Sequence, residues 1–151
     1  MTVKLSTGLR NAMLASSPLS TALNLGFVKV YAGTVPATAD AALDGTNTLL
    51  STISNNSTAT GLTLNGGTGA VASGVVGKTS TETWSGVNAA SGTATFYRHV
   101  APGDDGSSSG TQSRIQGGIA TSGSDMNLTS TTLSSGATQT LNFYSIALPT
   151  L

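Results

Sequence analysis

Apolar residues near the start of the chain recur at Leu5, Leu9 and Met13, a spacing of four that lines one face of a helix. Ser6 or Thr7 stands where a cap is needed, so LSTGLRNAMLA is predicted to be a short amphipathic helix. Gly8 opposes that helix by about 1 kcal/mol relative to alanine. Pro18 suits the opening turn of a second helical piece, LSTALN. From Phe27 the period falls to two. FVKVYAG alternates so that Lys29 faces away from Val28 and Val30. LLSTIS, TGLTLN, AVASGVV, STETWSG, ATFYRHV, SRIQGGIA, MNLTSTTL and TQTLNFYSIAL continue as candidate strands, with a turn at Asn65-Gly66-Gly67. VPATADAALDG is a loop with room for one helical turn. In ATFYRHV the alternation sets Phe96, Arg98 and Val100 on one face and Tyr97 and His99 on the other. RIQGGIATSGSDMNLTSTTL is expected to form a hairpin corner at TSGSD, with Asp125 capping the turn through its own backbone.

Short strands with turn signals about every 8–12 residues predict a mainly β fold, an antiparallel β-sandwich of jelly-roll-like character with about eight or nine strands. A short N-terminal helical segment precedes it. Residues 1–25 are then a helical arm and residues 26–151 the sandwich, together one compact domain. Helices do not alternate with strands, which sets a doubly wound α/β fold aside, and no fixed period supports a β-solenoid.

Charge sharpens the functional side of this picture. Charged residues make up 8% of the chain, against about 25% in an average globular protein. Lys4, Lys29, Lys78, Arg10, Arg98 and Arg114 are scattered, which argues against a nucleic-acid partner, since that needs clustered cations. Formal net charge is zero, a condition that favours association, so the chain reads as a subunit of an assembly. Cysteine is absent, which removes disulfides and thiolate metal sites. No apolar run reaches the roughly 20 residues of a membrane span, and MTVKLSTGLRNAML lacks a secretory apolar region. The expectation is a soluble protein with no membrane partner and no export signal.

Candidate chemistry is sparse. Gly106-Ser107-Ser108-Ser109-Gly110 satisfies the G-x-S-x-G pattern of a nucleophile elbow, but the strand before it and the helix after it are missing, and His99 precedes it. His99 has no partner His or Cys, and reads as a satisfied or solvent-facing strand histidine. Asp104-Asp105-Gly106 offers hard oxygen atoms to a calcium ion without the spacing of an EF-hand, and Asp-Gly is also an ordinary turn. Gly67-Thr68-Gly69-Ala70-Val71-Ala72 matches a loose dinucleotide pattern without the helix that would bind pyrophosphate. The sequons at Asn55, Asn56 and Asn127 are expected by chance in so Asn- and Thr-rich a chain. Trp84 reads as a core or subunit-contact residue rather than a sugar platform, and Phe143-Tyr144 raises the same choice. No catalytic residue, cofactor or metal is assigned.

MTVKLSTGLRNAML, VKVYAGTVPATADAALDGT, GKTSTETWSGV followed by GTATFYRHV, and RIQGGIATSGSDMNLTSTTLSSGATQTLNFYSIALP together resemble small virion proteins of tailed bacteriophages. The resemblance spans most of the chain apart from residues 55 to 75. It implies a non-enzymatic structural protein made in the host bacterial cytoplasm, with a capsid decoration or cement role at the capsid surface. The implied partners are the major capsid protein and copies of the chain itself, as a homotrimer. A tail, baseplate or neck component and a carbohydrate-binding or host-attachment module are the alternatives. Leu5, Leu9, Met13, Trp84, Arg98 and Arg114 are the positions assigned to an interface. The helix carrying the first three either docks on a neighbour or plugs the end of its own domain.

Overall fold

A computed structural model describes residues 2–15, 17–65 and 74–147. The fold is mainly β, with antiparallel strands and a short helical segment near the N-terminus. Strand β1 (Lys4–Leu5) leads into α1 (Thr7–Ala15) and α2 (Leu19–Ala22). There follow β2 (Phe27–Ala32), β3 (Thr48–Asn55), β4 (Val75–Gly77), β5 (Trp84–Val87), β6 (Gly92–Thr93) and β7 (Phe96–Val100). The chain continues through β8 (Arg114–Ala120), β9 (Met126–Asn127), β10 (Thr132–Leu133), β11 (Thr138–Thr140) and β12 (Ser145–Ala147). One sheet runs β1-β8-β7-β2-β3-β5-β11, with β9 added beside β8, while β6–β10 and β4–β12 form two-stranded ribbons.

The alternation predicted for β2 and β7 sets the two faces of this sheet. Register pairs Val28 with Ile53 and His99, His99 with Ile115, and Ile115 with Leu5, so all five share one face. That face carries the apolar core, which Leu9, Leu23, Trp84, Val76 and Tyr144 complete. Lys29 pairs with Arg98, and Arg98 with Gln116, on the other face. A register shift between Val30 and Tyr31 lets consecutive residues of β3, Leu50 and Ser51, both be buried.

Helix α1 forms within the predicted stretch LSTGLRNAMLA but starts at Thr7, because Leu5 is taken into β1 by pairing with Ile115. The Ser6 carbonyl accepts from Arg10 N and its hydroxyl from Leu9 N at 3.1 Å, an N-cap. Asp40 adds a carboxylate at the same end, accepting from Thr7 N at 2.8 Å and Thr7 Oγ1 at 2.7 Å. Gly8 is explained by packing rather than by helix propensity, because a Cβ there would lie 2.2 Å from the Thr111 carbonyl oxygen. Gly8→Ala, which favours an isolated helix by about 1 kcal/mol, is therefore expected to destabilise the protein by about 1–3 kcal/mol. Thermal unfolding checks this, and a raised Tm would contradict the close contact.

Three expectations are corrected. TGLTLN forms no ladder: it meets its neighbours only at single bridges, Asn55 with Thr60, Gly26 with Leu62 and Leu64 with Lys78. Its alternation is nonetheless real in burial, since Leu62 and Leu64 are both in the core. The corner TSGSD is not a hairpin. The chain returns parallel, pairing Ile119 with Met126 and Ala120 with Asn127. Asp125 makes this possible by accepting Gly118 N at 2.8 Å, so its carboxylate takes an edge N–H that a returning antiparallel strand would have used. VPATADAALDG carries no helical turn. The turn at Asn65-Gly66-Gly67 and the Gly67–Ala72 pattern lie in or run into residues outside those described.

Candidate functional site

Lys4, Lys29, Arg98, Arg114 and Gln116 stand on one face of strands β1, β2, β7 and β8, which is why a chain so poor in charge can bury a charged layer. Two loops cover them, residues 33–47 and 101–113. Arg98 donates from Nε to Gln116 Oε1 at 2.9 Å and from Nη2 to the Ala41 carbonyl at 2.9 Å. Arg114 Nε pairs with Asp104 Oδ2, and its Nη2 donates to the Ser107 carbonyl at 2.8 Å. Arg114 Nη1 reaches the Ala39 carbonyl at 3.3 Å. Gln116 Nε2 donates to the Pro36 carbonyl at 2.8 Å and Lys4 Nζ to the Ala37 carbonyl at 2.7 Å. The donors of four strand residues thus hold the Pro36, Ala37, Ala39 and Ala41 carbonyls of one loop. The same loop sends Asp40 to the start of α1. The pKa of Arg98 is lowered, by burial first and by Arg114 second. Chemically this layer is a clamp: its donors face backbone carbonyls, the Gln116 amide oxygen and one carboxylate.

The opposite face holds the residues that could suggest catalysis. His99 is fully buried, with the Tyr144 hydroxyl 3.0 Å from Nδ1. Trp84 packs on Tyr144 with ring centres 5.4 Å apart and meets His99 edge-on at 6.3 Å. Its Nε1 donates to Glu82 Oε2 at 2.8 Å, and the same oxygen accepts from Thr63 N at 3.0 Å. Burial pushes the His99 pKa down to about 3, so the imidazole is neutral across the physiological range. Burial also raises the Tyr144 pKa well above its ordinary value.

Ser107 to Ser109 belong to the loop over the arginine face, on the other side of the sheet from the His99 ring. Asp104 and Asp105 do not converge on a common point. Asp104 bonds Arg114 and Gly106 N, while Asp105 bonds the amide and hydroxyl of Ser107. Among the described residues no group of three or more His, Cys, Asp or Glu is arranged to hold a metal ion. No helix among them is long and apolar enough to cross a membrane.

The interface positions fall almost wholly inside the chain's own fold. Leu9, Trp84 and Arg114 are 0% exposed and Arg98 is 1% exposed, which leaves no surface for a neighbour. Leu5 and Met13 are partly buried against the same core. Leu9 and Met13 of α1, and Leu5 of β1 beside them, therefore pack on the core of their own domain. The structure brings Arg98 and Arg114 together on one face and Trp84 onto the other, and the sequence could not show that both sides of β7 are covered.

What faces solvent is different. Tyr31, Trp84, Phe96, Tyr97 and Tyr144 are buried and Phe27 is half-buried, whereas Phe143 is 79% exposed. It stands between two grooves of about 460 Å³ each. One runs past Asp125, Asn127, Thr129 and Gln139, the other past Val75, Lys78 and Ser80. Two aromatics in succession were the available signal, because neighbouring residues of extended chain point to opposite sides and one of such a pair tends to face outward. The chain matches no protein-family model, no curated protein and no solved structure.

Proposed function

We propose that the chain is a non-enzymatic structural protein of a tailed-bacteriophage virion, and within it a capsid decoration protein that binds and stabilises the lattice of the major capsid protein. The observation that carries this reading is the direction in which the side chains are used. Arg98, Arg114, Asp104 and His99 are buried in internal bonds, which leaves a surface of Ser, Thr and separate apolar residues such as Phe143 and Leu14 with only scattered charges such as Arg10, Asp44 and Asp105. Such a surface suits association with other protein surfaces under neutral charge. The phage setting rests on the sequence blocks named above.

Decoration acts by mass action: each copy bound to the assembled shell and not to its precursors adds RT ln(1 + [L]/Kd) to shell stability. Repetition over a lattice lets each contact be modest. The carbohydrate-binding alternative loses Trp84, Tyr97 and Tyr144 as stacking platforms, since all three are buried. Quantitative mass spectrometry of the virions that encode the chain tests the proposal. Copies on the order of hundreds per particle are expected of a lattice protein. A few dozen or fewer would move the protein to the tail or neck, and its absence from purified particles would overturn the virion reading.

A further inference from the structure

We propose that Phe143 and the grooves beside it form a self-association surface, in which the Phe143 ring of one copy enters a groove of a second copy of this chain. The ring is presented on a held segment. Leu141 N donates to the Trp84 carbonyl at 2.8 Å and Lys78 N to the Tyr144 carbonyl at 2.9 Å, so the backbone is pinned on both sides of Phe143. Leu141 and Tyr144 are buried beneath it. An exposed aromatic on rigid backbone loses little conformational freedom on docking and is the residue type that anchors interfaces.

Three observations select a copy of the same chain as the occupant. Knob and hole are adjacent on one surface, and each groove, at about 460 Å³, has room for an aromatic side chain. The grooves carry opposite charge, Asp125 in one and Lys78 in the other. A head-to-tail ring that seats Phe143 of one copy in the second groove of its neighbour sets the first groove of each beside the second groove of the next, which brings carboxylate towards ammonium. Finally, formal net charge is zero, so copies do not repel one another at long range. This surface is independent of the virion reading, because it is tested on the purified chain alone.

Sedimentation velocity on the purified chain at about 100 µM, a range that reveals weak association, is the experiment. The wild type is expected to sediment as two or more copies of the 14.9 kDa chain. Phe143→Ser is expected to weaken association roughly 30-fold, the loss typical of an aromatic anchor, with an unchanged melting temperature at dilutions where both proteins are monomeric, because the ring is outside the core. Asn142→Arg, at an exposed position bordering both grooves, should do the same. Leu14→Ser, at an exposed helical position outside the grooves, should keep the wild-type mass. A wild type that stays at 14.9 kDa overturns the proposal. So does retention of the wild-type mass by both Phe143→Ser and Asn142→Arg.

Discussion

Arg114→Leu is expected to lower the unfolding free energy by about 3–5 kcal/mol, the cost of leaving a buried charge without its partner. The Arg114 side chain is 0% exposed and that of Asp104 1% exposed, so water cannot replace the lost guanidinium. The substitution also removes the donors to the Ala39 and Ser107 carbonyls, which tie the 33–47 and 101–113 loops to the sheet. Arg114→Leu combined with Asp104→Leu should recover part of the loss, because neither charge is then stranded. Guanidinium unfolding of the two single variants and the double variant measures this directly. A cost below about 1 kcal/mol for Arg114→Leu, the range of a surface pair, would mean that the clamp is not closed in solution.

Acid is expected to weaken the fold through His99. Its folded pKa is about 3 against an ordinary 6.5, with burial as the cause. Between those values the unfolded chain binds a proton that the native chain excludes, so stability rises with pH. The contribution is fully present above 6.5 and is lost as pH falls towards 3. The slope is about 1.4 kcal/mol per pH unit. Asp44 and Asp105 have their carboxyls held below 3.8 by hydrogen bonds from Thr46 and Ser107 respectively. Their effect has the same sign but begins only near and below that value, which leaves the interval from about pH 6 to 4.5 to His99. Urea unfolding across this interval should show the slope in the wild type and a nearly flat line in His99→Phe. Equal slopes in the two proteins would place the proton elsewhere. His99→Phe is also expected to cost about 1–3 kcal/mol at neutral pH, because the buried Tyr144 hydroxyl loses its partner.

Period and capping are local properties, and they were legible. The spacing of Leu9 and Met13 with Ser6 before them places α1, although Leu5, the first of the predicted set, belongs to β1, and the alternation in FVKVYA and FYRHV correctly divides each strand between two faces. Both depend on the geometry of a few consecutive residues. The direction of the strand after TSGSD was not legible, because it follows from Asp125 reaching back to Gly118 rather than from turn residues alone. Gly8 likewise looks like a flaw in a helix until the Thr111 backbone is seen against it.

The candidate site divides in the same way. Sequence alone established a mainly β chain, poor in charge, in which Arg98 lies opposite His99 on its strand. It could not establish that both of those faces are buried, since burial of the polar face depends on loops 33–47 and 101–113 folding over it from distant parts of the chain. Arginines assigned to an interface thereby became internal clamps, Trp84 is a core residue, and the exposed aromatic among the described residues is Phe143. The physical reason is that alternation specifies which side chains share a face, whereas the cover over each face is decided by long-range contacts that leave no periodic mark.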